Sequence, residues 1–243
     1  MSLPLLDLCS RPEVNRRDGL ASAVAGVDVD ELAAAYRDTV SLAPRRRAPY
    51  LVATHDGAGG ASNFKSEKVL AKAIFNADRP LQVGDRHVQI IDYEVPLRDV
   101  RADAGVGEID LLGVEVQEPR LWIIELKVHP NSDTPLKALL QALRYSAILE
   151  ANSDKIASEV FERRGVRVEW PASIAVAADG SYWTRLADTV PAGESLVALR
   201  RLSMQVTKRL SIPIHLVDLG NLVAEMGANQ RVLLRDPLTV ETL

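Results

Sequence analysis

Eight residues, Leu121 to Val128, constrain this 243-residue chain more than any other stretch. They read Leu-Trp-Ile-Ile-Glu-Leu-Lys-Val, apolar enough for a buried strand, yet two opposite charges interrupt the run. Alternate side chains of a strand share a face, so Glu125 and Lys127 project together while Ile124, Leu126 and Val128 project the other way. Taking either ion out of water without a partner costs on the order of several kcal/mol. The fold must therefore bring compensating charge to that face.

The neighbouring segments supply candidates. Glu108 to Val116 reads as a second strand, and the short break at Glu118-Pro119-Arg120 makes the two an antiparallel hairpin in which a suitable register brings Asp110 to Glu125. Upstream, a helix over 62–77 sets Phe64, Glu67, Lys68, Ala71, Ile74 and Phe75 on neighbouring positions of one face, which leaves Glu67 beside an apolar stripe. Downstream, Thr134-Pro135 reads as the N-cap and first-turn proline of a helix. Leu136, Leu139, Leu140, Leu143, Ala147 and Ile148 form its apolar face, and Gln141 and Tyr145 stand one turn apart.

The remaining pattern is α/β. A helix starts at Asp28, with Glu31 completing a capping box; a strand rich in β-branched residues spans 86–97; a helix follows over 154–164. Residues 172–178 form a continuous small-apolar run of the kind buried on both faces of a sheet. A helix over 193–210 and strands over 213–219 and 231–234 complete the reading. Residues 1–27, broken by Pro4, Pro12 and Gly19, read as an irregular arm. The expected architecture is one α/β domain over 1–243, a central mixed β-sheet flanked by helices, with its chemistry-bearing core at 62–150.

Composition narrows the function classes. With 47% apolar and 26% charged residues the chain buries a core. The net charge of -4 neither marks nor excludes a nucleic-acid binder, because carboxylates that hold a divalent cation lower the formal charge where the cation raises it. Cys9, the sole cysteine, excludes an intramolecular disulfide and a cysteine-based zinc site. No run approaches membrane-spanning length, and a cytoplasmic setting is expected.

Hydrolysis of a phosphodiester needs an activated water and stabilisation of developing charge. Glu67, Asp110 and Glu125 supply hard oxygen ligands for Mg²⁺ or Mn²⁺, the Leu126 carbonyl a fourth, and Lys127 a cation to orient water and stabilise phosphate. Two carboxylates about 4 Å apart repel by roughly 4 kcal/mol at an effective dielectric near 20, so such a pair favours a cation. In this order the residues resemble the PD-(D/E)xK, or restriction-endonuclease-like, nuclease superfamily. Asp110 in Gly-Glu-Ile-Asp and the Glu125-Leu126-Lys127 triplet are similar to its core hairpin, Glu67 to the acidic residue of its first core helix, and Gln141 with Tyr145 to the Gln-x-x-x-Tyr motif of its exonuclease-type branch. Ile109 stands where proline often precedes the family's aspartate.

The resemblance spans about 80 residues, Glu67 to Tyr145. It implies a restriction-endonuclease-like core, catalytic roles for Asp110, Glu125, Lys127 and Glu67, substrate binding by Gln141 and Tyr145, metal-dependent cleavage of DNA, and homodimerisation of the kind by which many members cut both strands. The alternative is a catalytically inactive module of the same fold that binds nucleic acid or a protein partner. Outside this span, Arg45-Arg46-Arg47, the glycine-rich turn from His55 to Gly60, the basic residues Arg200, Arg201, Lys208 and Arg209, and the pair Tyr182-Trp183 are candidate phosphate or base contacts. Solvated surface and ordinary packing are the competing roles for each.

Overall fold

The computed structural model describes residues 3–55, 66–97, 107–128, 130–187, 193–221, 223–227, 231–234 and 241–243. Helices α1 (Pro4–Cys9), α2 (Leu20–Ala25) and α3 (Val29–Leu42) precede α4 (Glu67–Asn76) and strands β1 (Leu81–Val83), β2 (Arg86–Pro96), β3 (Glu108–Glu115) and β4 (Arg120–Lys127). Then come α5 (Pro135–Ala151), α6 (Ser153–Arg164), β5 (Glu169–Ala178), α7 (Gly180–Ala187), α8 (Glu194–Leu210), β6 (Ile214–Asp218), β7 (Ala224–Met226), β8 (Val232–Leu234) and β9 (Glu241–Thr242).

Seven strands form one mixed sheet in the order β1-β2-β3-β4-β5-β6-β9, and β7 pairs with β8 separately. The first four strands run antiparallel to their neighbours, while β4, β5 and β6 are parallel. The expected α/β architecture, a mixed sheet flanked by helices, is therefore present. The parallel pairing requires long crossovers, which α5 with α6 and α7 with α8 provide.

Strand alternation divides the core. Trp122, Ile124 and Leu126 face Leu70, Ile74 and Leu111 on the α4 side, whereas Ile123 and Leu112 face Ile148 and Leu149 of α5 on the other. Helix α5 is buried on almost every side because it lies between the sheet and α1 and α3. Its start is fixed as expected: Thr134 Oγ1 accepts the Lys137 N–H at 3.2 Å and Pro135 occupies the first turn. Asp28 caps α3 by accepting the Asp30 and Glu31 N–H groups. Helix α4 begins at Glu67, after the Ser66 cap, and the stretch 62–65, including Phe64, lies outside the described residues.

Within the irregular arm expected over 1–27, residues 4–9 and 20–25 are instead short helices, α1 docked on α5 and α3 and α2 docked on α8. Leu5, Leu8, Cys9, Val14, Leu20 and Val24 are all buried. The prolines that read as breaks sit at helix starts, Pro4 in α1 and Pro12 in a 3-10 turn, where the missing N–H costs nothing. Thr134 Oγ1 donates to the Val14 carbonyl and the Thr134 N–H donates to Asn15 Oδ1 at 3.0 Å, so this segment also holds the start of α5. Leu5→Ala is expected to destabilise the protein by about 2–5 kcal/mol, the range for emptying a packed leucine site. Urea denaturation reads this directly, and a change near zero would show the segment to be a loosely attached arm.

Candidate active site

Backbone register brings the two strand carboxylates together. Strands β3 and β4 pair Leu111 with Ile124 and Leu112 with Ile123. Continued one step, the same register sets Asp110 opposite Glu125, both on the face that α5 covers. There the Leu126 N–H donates to Asp110 Oδ2 at 2.7 Å, so a side chain takes over a backbone donor at the mouth of the hairpin.

Lys127 fills the space between the oxygens. Its Nζ donates to Glu125 Oε1 at 2.7 Å and to the Leu126 carbonyl at 2.9 Å, and lies 3.7 Å from Glu67 Oε1. The ammonium thus contacts or approaches three of the four oxygens expected to hold a metal. Glu67, at the first turn of α4, stays a quarter exposed and accepts from Asn131 Nδ2. Glu125 Oε2 is buried without a hydrogen-bond partner.

Charge and burial compete at each group. Burial, then the Glu125 carboxylate, raise the Asp110 carboxyl well above the usual range, with Lys127 and the Leu126 N–H pulling the other way. Burial likewise raises Glu125 against the pull of Lys127. For Lys127 burial favours loss of the proton, but Glu125, Asp110 and Glu67 together outweigh it and the ammonium is held charged.

Among the described residues, no three carboxylate, imidazole or thiol groups are grouped as a ready metal-ligating set. The donor chemistry itself suits a hard divalent cation: carboxylate oxygens, one of them orphaned, beside a backbone carbonyl.

Of the two α5 candidates, Tyr145 feels the charges of Glu125 and Asp110. Gln141 is partly buried, with Oε1 enclosed and unpartnered. Tyr145 is 5% exposed, and burial, then Glu125, raise its phenol above the ordinary tyrosine value. It therefore sits within the protein beneath the carboxylates. Gly107 makes room for it: at φ +86 a β-carbon there would lie 2.7 Å from the Tyr145 hydroxyl oxygen.

Two participants escaped the sequence reading. Arg144 is 4% exposed, lies 5.0 Å over the Tyr145 ring and acts electrostatically on Glu125, with Nε unpartnered. Its spacing three residues after Gln141 was the available signal. Asn131, which holds Glu67, lies in the loop that leaves the carboxyl end of β4, where α/β sheets carry their ligand sites.

The other candidates are mostly structural. Tyr182 and Trp183 are buried edge to face, bonded to the Asp133 and Val217 carbonyls, and do not form an open stacking platform. The Arg46 guanidinium donates to the Ala48 and Pro49 carbonyls. Arg200, Arg201, Lys208 and Arg209 are exposed, Arg209 pairing with Asp30 at 2.7 Å. The glycine-rich turn past His55 lies outside the described residues.

Set against family models, curated proteins and solved structures, the chain matches none. Its chemistry rests on its own geometry.

A carboxyl whose folded pKa is raised holds its proton more tightly in the native state. The stability it contributes is complete below the ordinary aspartate value near 4 and is lost as pH rises through the folded pKa. In EDTA, the stability of Asp110→Asn relative to wild type is therefore expected to grow between about pH 4 and pH 8. Urea midpoints measured across that range provide the check; a pH-independent difference would mean that Asp110 is not held in a charge-crowded, desolvated position.

Proposed function

We propose that this protein is a divalent-metal-dependent nuclease with a restriction-endonuclease-like core, acting on DNA. The observation that carries the proposal is the convergence of Asp110, Glu125, Lys127 and Glu67 at one end of the β3–β4 hairpin. Charge crowding of this kind on a buried sheet face weakens the fold unless a ligand exploits it. Asp110, Glu125 and the Leu126 carbonyl would hold Mg²⁺ or Mn²⁺, with Glu67 joining from α4. Bound there, the ion would supply Lewis acidity toward a phosphate oxygen and activation of water.

The protein's own groups have separable tasks. Asp110 ties the site to the backbone of β4 through the Leu126 N–H. Lys127, held protonated, offers a cation to a phosphate oxygen once its contacts with Glu125 and Leu126 loosen. Glu125 Oε2 is an acceptor already stripped of water and so available without further desolvation. Gln141, whose amide oxygen is unpartnered, would be the α5 group offered to substrate, with Tyr145 supporting the carboxylates from within.

A second reading draws on the same ammonium. Lys127 already neutralises Glu125 and approaches Glu67, as it would in an inactive module that binds nucleic acid or a protein through this fold. Calorimetry with Mn²⁺ or Mg²⁺ separates the two. The nuclease is expected to take up metal, to lose that heat in Asp110→Asn and Glu125→Gln, and to cleave linear or circular DNA. Lys127→Met should keep metal binding and lose at least about 100-fold in cleavage rate, the scale for removing one group that stabilises transition-state charge. Folded protein that takes up no metal and leaves DNA intact would establish the inactive module instead.

A further inference from the structure

The loop after β4 is held by two arginines from distant parts of the chain. Arg17, from the N-terminal segment, and Arg185, from α7, each donate Nη2 to the same atom, the Asn131 carbonyl oxygen, at 2.6 and 2.8 Å. The two nitrogens therefore lie no farther apart than those two distances combined. Both guanidinium groups are partly buried. Among the described residues neither forms an ion pair with a carboxylate. Of the acids around them, Asp133 pairs with Lys137, Glu67 accepts from the Asn131 side chain, and Asp218, which accepts the Gly220 N–H, lines the same cleft as Arg185. Two like charges thus converge on one neutral oxygen, with further N–H donors on each guanidinium left over.

Their position gives this convergence a purpose. The side chain of the same Asn131 donates to Glu67, which lies 3.7 Å from Lys127, so the arginine pair is one residue removed from the carboxylate cluster. On its other side Arg185 borders an open cleft of about 510 Å³ at the carboxyl ends of β5 and β6, lined also by Gly180, Thr184 and Asp218. We propose that Arg17 and Arg185 form a phosphate cradle that seats a backbone phosphate of nucleic acid beside the carboxylate cluster. The ligand class rests on the nuclease reading, whereas the anion site rests on the arginine geometry alone. Guanidinium forks suit the tetrahedral oxygens of phosphate, and a phosphate between the two would remove their mutual repulsion.

The test is binding of a labelled DNA duplex of about 20 base pairs by fluorescence anisotropy, with Ca²⁺ in place of Mg²⁺, across about 50–300 mM KCl. Arg17→Gln and Arg185→Gln are each expected to weaken binding about 10-fold and to lower the slope of log affinity against log salt by about 1, one phosphate contact apiece. Arg17→Lys and Arg185→Lys, which keep the charge and serve where a glutamine variant does not fold, should retain the slope while losing part of the affinity. A thermal unfolding midpoint that falls in the variants while affinity and slope stay at wild-type values would overturn the cradle and make the arginines loop pins only. Wild-type protein that fails to bind the duplex at the lowest salt would overturn it too. Cleavage of the same duplex in Mn²⁺ is scored separately. Arginine-dependent binding without cleavage keeps the cradle and removes the nuclease, and cleavage with arginine-independent binding does the reverse.

Discussion

The Lys127 ammonium lies against Glu125 Oε1 and the Leu126 carbonyl, with Glu67 Oε1 just beyond, and the rest of the site depends on that position. Lys127 and Glu125 are both almost fully buried. A buried pair gains little net stability over an apolar one, yet loss of one partner costs about 3–5 kcal/mol, because it strands the other charge in a medium that cannot solvate it. The strand tolerates this arrangement because its alternate residues, Trp122, Ile124 and Leu126, are anchored in an apolar core on the opposite face. One β-strand thus divides its labour by parity: one face holds it in place and the other carries the charge.

Much of this was legible in the sequence, for identifiable reasons. The hairpin strands carried period-two patterns long enough to define their faces, and the Thr134-Pro135 and Asp28 caps marked their helix starts within a residue. The N-terminal helices were not legible. Six-residue helices are too short to display a convincing helical period, and they exist here through tertiary contacts, α1 with α5 and α3 and α2 with α8. At the site, Asp110, Glu125, Lys127 and Glu67 were recognisable because a local motif and a strand register place them together. Asn131, Arg17 and Arg185 were not, since the contacts that unite them span 54 to 114 positions and only the folded chain reveals them.

The change of strand direction at β4 has its own role. Toward β3 the strand is antiparallel, which allows a tight hairpin to oppose two carboxylates only fifteen positions apart in the chain. Toward β5 and β6 it is parallel, which aligns the carboxyl ends of three strands and places Lys127, Ala178 and Asp218 along one edge. Open sheets of this kind leave a crevice outside those ends. The clustered carboxylates therefore come from the antiparallel side, and an open cleft lies on the parallel side.

The contacts between the N-terminal segment and the start of α5 bear on how the molecule is made. Val14 and Asn15 leave the ribosome long before their partner Thr134, and helices as short as those around them do not persist alone in water. Val14 and Asn15 can make these contacts only once the middle of the chain is available. The β3–β4 hairpin, by contrast, needs only a short loop closure. The segment that carries Arg17 is thus tied to the site through a contact 120 positions long in sequence, so it docks only after the α5 segment has been made.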